Sequence, residues 1–305
     1  MYLEYYLNEL GYYNIPNFLI KYLKVPSLLR LKKVGYFCGM DYASKDIYNF
    51  SEYITRYDHS LTVSLIVYKL TKNKEATLAG LFHDISTPCF SHVIDYMNND
   101  HLNQESTEEY TEKILRSDRY LQKCLNEDNI KIDDIINFKK HTVVDNDRPK
   151  LCADRIDGVI LNGIGWTKNI YKEDIRNIVS DMKIYTNEYN EDEIGFKSLD
   201  IAKKVLEVSK SIDIYCHSRE DNYMMQLLAK ITKLAIMKKY INYDELYNYT
   251  EEELFNILES IKDKEFNELF LKFKNIKMNE IPNIEFPKIK VRKLNPIVNG
   301  KRINN

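Results

Sequence analysis

Residues 79–97, AGLFHDISTPCFSHVIDYM, place two of the chain's six histidines, His83 and His92, beside the acid Asp84 in an otherwise apolar segment. A carboxylate next to an imidazole among Leu81, Phe82 and Ile85 loses solvation unless something positive compensates it. A metal ion, a cationic side chain or exposure at a helix end would each do so. Two further residues extend the set: His59 in TRYDHSLTV and Asp154 in LCADRIDGVI, both on apolar segments of helical pattern. A lone histidine at the start of an amphipathic helix is more often structural, and it is the company of His83, Asp84 and Asp154 that gives His59 a chemical reading. Imidazole nitrogens and carboxylate oxygens together suit borderline or hard divalent ions, and two of each leave positions open for water and a phosphate oxygen. That is a catalytic composition rather than a closed structural site. Neighbouring residues on a helix point about 100° apart, so His83 and Asp84 reach one ion only near a helix end, which the following STP supplies.

The elements that must position these residues are helical. Segments such as SLTVSLIVYKLT, EATLAGLFHDI, STEEYTEKILRS and NYMMQLLAKITKLAIMKKY repeat apolar residues at three- and four-residue intervals. Nine glycines and seven prolines in 305 residues leave little room for a turn-rich all-β fold. The spacing of Ser106 and Glu109 is that of a capping box, which predicts a helix start near Ser106. Two stretches break the pattern: VGYFCGMDYASKD, a loop or short turns, and the tail IPNIEFPKIKVRKLNPIV, which alternates like a strand between prolines. The fold class expected is mainly α, with a small β-like C-terminal segment.

Composition sets the outer bounds. A hydrophobic fraction of 44% supports a substantial core, and 44 basic against 46 acidic residues leave no global field for nucleic acid or membrane. Five cysteines without a CxxC pair argue against a disulfide framework or zinc ribbon and for a reducing, cytoplasmic setting. The start MYLEYYLNELGYYNIP does not read as a signal peptide, and no run of eighteen apolar residues occurs. Phosphate-cradling GxxxxGK[ST], GxGxxG and GxSxG motifs are absent as well.

The pattern of a His, a His-Asp doublet and a distant Asp resembles the HD-domain metal-dependent phosphohydrolases. Within them, TRYDHSLTV and AGLFHDISTPCFSHVID are similar to segments of the SAM-and-HD-domain dNTP triphosphohydrolases and their bacterial dGTPase-like relatives, over residues 55 to 158. The resemblance implies a helical HD bundle, giving a lead-in over 1–50, a metal-binding catalytic domain over 51–185 and a helical C-terminal region over 186–305, with the soft boundary near 180–200 placed by the acidic, polar stretch YTNEYNEDEIG. It implies a mononuclear site of His59, His83, Asp84 and Asp154 for manganese, iron, nickel, cobalt or magnesium. Arg56 would meet a substrate phosphate, as would Arg155, which stands where a lysine is often found. His92 would carry the proton, and Glu105 matches the acid of a His-Glu pair.

The sequence also departs from that branch. Thr87 stands in place of a histidine between doublet and proline, Gln104 in place of the histidine of the His-Glu pair, and Gly158 in place of a tyrosine that holds the sugar. Two of three histidines that support proton transfer there are absent. His101, on a polar loop, reads as a solvated histidine. The loop KKHTVVDNDRPKLCADR offers His141 as a proton donor and Arg148 or Lys150 as phosphate contacts, against the plainer account of a charged surface loop. In YCHSREDNYMM, His217, Arg219 and Tyr223 read as a helix start capped by Ser218 or Asp221, with Met224, Met225 and Leu228 in the core.

The expectation is hydrolysis of a phosphate ester or anhydride, in a nucleotide or related small phosphorylated molecule, by water activated at the metal. The alternative is a nucleotide-binding sensor that keeps the cage and has lost turnover. A nucleic-acid role for the basic tail is disfavoured by the near-neutral charge, whereas a strand-like tail could serve a homodimer.

Overall fold

The helix that opens the HD-like segment spans Arg56–Thr71, and its start is chemically specified. The Thr55 backbone N–H donates to Asp58 at 2.8 Å, and the Asp58 N–H donates back to the Thr55 hydroxyl at 3.1 Å, a reciprocal capping box. Lys72, with φ 56°, turns the chain in a left-handed conformation into the antiparallel helix Lys74–Phe82, capped by Asn73. Close approach of the pair depends on Gly80, where a Cβ would sit 3.3 Å from Val63 Cγ1. Against this pair packs the helix Ala153–Gly165, which in turn contacts Leu199–Cys216. Here too a glycine sets the distance, since a Cβ on Gly163 would stand 3.0 Å from Val208 Cγ1.

This computed structural model describes residues 1–100, 110–283 and 292–303. Among them are fifteen α-helices and one four-stranded sheet, the mainly α architecture expected. Residues 34–55 form turns and one short 3-10 helix, Met40–Tyr42. The proposed helix start at Ser106 lies outside the described residues, and the helix described there is Thr111–Ser117. No helix among the described residues is long and apolar enough to cross a membrane.

The sheet was only half legible. Its C-terminal part is the small β element expected of the tail: β3, Ile297–Val298, and β4, Lys301–Arg302, pair antiparallel. The other half lies in the acidic stretch read as a soft boundary, where β1, Met182–Thr186, and β2, Asp192–Phe196, form a hairpin. β3 adds parallel to β2 across about a hundred residues of chain, with Gly195 opposite Ile297. Glu193 on β2 is fully buried, and the Arg302 guanidinium donates to both its oxygens, at 2.8 and 2.7 Å. A charged residue that seals its strand only through a remote partner carries no local strand signal.

Buried apolar side chains form two clusters. One gathers the helices described above and includes Val63, Leu78, Ile156, Ile160 and Val205. The other sets Phe90, Val93 and Ile94 against Met224 and Leu228 of the Arg219–Met237 helix and against Phe255, Phe266 and Phe270. Ser218 caps that helix by accepting the Asp221 N–H at 3.1 Å. The principal cavity draws its walls from both clusters.

Candidate metal centre and its cavity

Three helix ends bring the His/Asp set together. His59 lies in the first turn of Arg56–Thr71, His83 is the residue on which Lys74–Phe82 ends, Asp84 follows in the turn, and Asp154 is in the first turn of Ala153–Gly165. His59 Nε2 is 3.1 Å from Asp154 Oδ1, and His83 Nε2 is 3.6 Å from the same oxygen. Asp84 closes the group, with Oδ2 3.7 Å from His59 Nε2 and Oδ1 3.6 Å from His83 Nε2. Of the four residues expected as ligands, His59, His83 and Asp154 offer atoms that all lie within 4.8 Å of one another, and Asp84 borders them through its two oxygens.

The hydrogen bonds behind them show which atoms are left for a ligand. His83 Nδ1 lies 2.8 Å from the Gly80 carbonyl and must carry a proton, which leaves Nε2, buried with no hydrogen-bond partner, as the atom turned to the cage. His59 Nδ1 lies 2.7 Å from Asp157 Oδ2, again directing Nε2 at the cage. Asp157 is fully buried and accepts the Tyr6 hydroxyl at 2.7 Å, so its carboxylate is itself held. A carboxylate behind a ligating imidazole fixes its tautomer and raises its basicity. Sequence reading missed Asp157, although its position three residues after Asp154 on one helix was the available signal.

The electrostatics match a cation site. Burial works to raise Asp84, but His83, Arg56 and His59 hold it down at about 2. Burial opposes ionisation of Asp154 too, and His59 and His83 keep it well below the carboxylate range. Despite burial, Asp154 and Asp157 raise His59 to about 10. Surroundings that draw a proton to a ligand nitrogen draw a divalent cation to the same place, and the donor set fits one.

The cage forms one wall of a cavity of about 660 Å³. Arg56 spans cage and wall: Nη1 donates to Asp84 Oδ2 at 3.0 Å, Nε to Ser91 Oγ at 3.2 Å, and the guanidinium lies 5.0 Å from the Tyr36 ring centre. His92 lines the cavity, its Nδ1 2.8 Å from Asp95 Oδ2. Arg155 lines it as well, yet its guanidinium ties down the preceding loop, donating to Asp145 at 3.0 Å, the Lys150 carbonyl at 2.9 Å, and Asn146. Lys150 pairs with Glu191 at 2.8 Å. Arg148 reaches the cavity wall and makes no hydrogen bond or ion pair among the described residues.

Thr87 and His141 are outside the lining. Thr87 is buried with its carbonyl accepting from Arg30 at 2.6 Å, and His141 Nε2 lies 3.0 Å from the Asp134 carbonyl. Gln104, Glu105 and His101 lie outside the described residues. Over Gly158 stands Tyr36, whose hydroxyl is 3.3 Å from the position a Cβ there would take. Sequence reading also missed Tyr48, Asp221 and the tail residue Arg292 as residues that line the cavity.

Comparison with known proteins gives a concordant picture. The model of the HD domain family matches residues 56–157. An uncharacterized Bacillus subtilis protein, YdhJ, is 25% identical over 256 residues, 84% of this chain and 75% of that one. The metal-dependent phosphohydrolase cns2 of Cordyceps militaris is 27% identical over 144 residues, 43% of this chain and 37% of that protein. The span of the family match takes in His59, His83, Asp84 and Asp154, so the similarity to the HD domain family falls on the candidate metal-binding residues.

Proposed function

We propose that this protein is a divalent-metal-dependent phosphohydrolase that cleaves a phosphate ester or anhydride, with a nucleotide as substrate. The observation that carries the reading is the buried, unsatisfied His83 Nε2, set among His59, Asp84 and Asp154 at the wall of a cavity that the Arg148 side chain also lines. An ion in that cage supplies water activation and phosphoryl polarisation. The ion would be manganese, iron, nickel, cobalt or magnesium rather than structural zinc.

The chain's own residues supply the rest. Arg56 keeps Asp84 ionised and oriented through its 3.0 Å bond, so its charge serves cage and phosphate at once. Burial, then the charges of Arg292 and Arg155, push Arg148 down to about 10, a strain that an anionic phosphate relieves. His92, with Nδ1 engaged by Asp95, has Nε2 left to donate a proton to the leaving oxygen. Tyr36, Phe37, Phe50 and Trp166 line the cavity as stacking faces for a base.

One observation favours the second reading, a nucleotide sensor without turnover. Thr87, at the position of a histidine in the dNTP triphosphohydrolases, has its backbone held by Arg30 and does not reach the cavity, so no substitute donor comes from there.

The test is a screen of p-nitrophenyl phosphate, bis(p-nitrophenyl) phosphate and nucleoside mono-, di- and triphosphates with added Mn²⁺. Metal-dependent release of phosphate or pyrophosphate is expected. Nucleotide binding without turnover in any metal would instead establish the sensor.

A further inference from the structure

The cavity lining also holds a carboxylate that the hydrolytic reading does not use. Asp221 lines the cavity from the first turn of Arg219–Met237, and its Oδ1 accepts the Tyr48 hydroxyl at 2.6 Å. Its other oxygen has no hydrogen bond, and Asp221 makes no ion pair, among the described residues. Capping does not explain the side chain, because Ser218 already caps this helix and Glu220 supplies first-turn charge. Nor does simple surface exposure: burial pushes the carboxyl up to about 7, against the Tyr48 hydrogen bond and the Arg292 charge.

Tyr48 is itself fixed. Its ring stacks near Phe50 at 5.5 Å, Phe50 stacks on Phe37 at 4.1 Å, and Trp166 lies 6.4 Å from Tyr48. A rigid aromatic wall thus aims one acceptor oxygen into a confined space. Asp221 is half-buried and that oxygen is not sealed off, so a ligand that donates to it takes the place of solvent.

We propose that Asp221, set by Tyr48, is a specificity-determining residue whose open oxygen accepts a hydrogen bond from an N–H donor on a heterocyclic ring stacked on the aromatic wall of the cavity. This rests on the nucleotide reading of the site. A site built around a hydrogen bond rejects the analogue that lacks the donor more strongly than an apolar pocket rejects a size difference.

The experiment measures equilibrium binding of nucleosides, without phosphate or metal, to the full chain. Matched pairs are adenosine with purine riboside, and cytidine with its 4-deamino analogue, each differing by one exocyclic amine. At least one donor-bearing member is expected to bind about 10-fold tighter than its twin. Asp221→Leu should abolish that preference, and so should the smaller Asp221→Ala, which guards against a defect caused by the bulk of leucine. Equal binding within both pairs, no binding at all, or a preference that survives both substitutions would overturn the proposal. Turnover of p-nitrophenyl phosphate with Mn²⁺ by the unaltered protein tests the hydrolase separately, so either idea can fail while the other stands.

Discussion

Two parts of the cavity lining are built on different principles. At the cage, ligands lie within one segment, between His59 and Asp154, and every charge is cross-balanced: Asp84 by Arg56, His59 by Asp157, Asp154 by both histidines. Around Asp221, the residues Tyr48, Trp166 and Arg292 come from remote parts of the chain, and Asp221 accepts the Tyr48 hydroxyl and feels the Arg292 charge. The first arrangement holds a charge in place whatever the substrate. The second leaves one carboxylate oxygen without a hydrogen bond among the described residues, and on that rests the proposal that selectivity and reaction are carried by separate groups.

That separation can be broken experimentally, and the largest effect belongs to the cage. His83→Ala should lose bound metal and lower turnover of any phosphorylated substrate by at least about 10³-fold, as expected for a principal electrostatic catalyst. Nucleoside binding around Asp221 should persist, measured by calorimetry on the same variant. If both fell together, the two parts would be one unit. Next, Asp157→Asn should weaken metal affinity by roughly 10–100-fold through His59 alone, read by competition with a chelating dye. Arg148→Ala should raise KM about 10-fold with kcat little changed, since a charge-assisted contact made equally in ground and transition states is uniform binding. The same loss should shrink with added salt.

The smallest effect concerns the seam between the two parts. Glu251 is fully buried and accepts the Phe90 N–H at 3.1 Å, beside the turn that leads to His92. Burial pushes its carboxyl up to about 8, and Asp41 nearby to about 6. A folded-state value above the unfolded one means that the unfolded chain releases its proton first, so stability falls as pH rises from about 4.5 to 8 and then levels off. Glu251→Gln should therefore melt a few degrees higher than the parent at pH 8.5 and show no such gain at pH 4.5, with Asp41 leaving a residual slope. A parallel shift at both pH values would contradict the assignment.

Legibility followed the same division. The cage could be read because its residue types and spacing state their chemistry, and the helices because periodicity marks each without reference to distant chain. Asp157 was visible as a spacing but silent as a role, since a second carboxylate on a helix face is ordinarily solvated. Arg155 shows the converse: its charge was legible, but not that Asp145 and the 146–150 backbone already engage it. The β1–β2 hairpin and Asp221 stayed hidden for one reason. Glu193 needs Arg302, and Asp221 needs Tyr48, and neither pairing leaves a trace at local range.

The central claim is that the His59, His83, Asp84 and Asp154 cage holds the ion on which hydrolysis depends. The direct measurement is phosphate release from a nucleotide or p-nitrophenyl phosphate by chelator-stripped protein as Mn²⁺ is titrated back, alongside Asp84→Ala. The account predicts that activity returns with occupancy of about one ion per chain and that Asp84→Ala neither retains the ion nor recovers turnover. Undiminished turnover in chelator, or wild-type metal content and activity in Asp84→Ala, would contradict it.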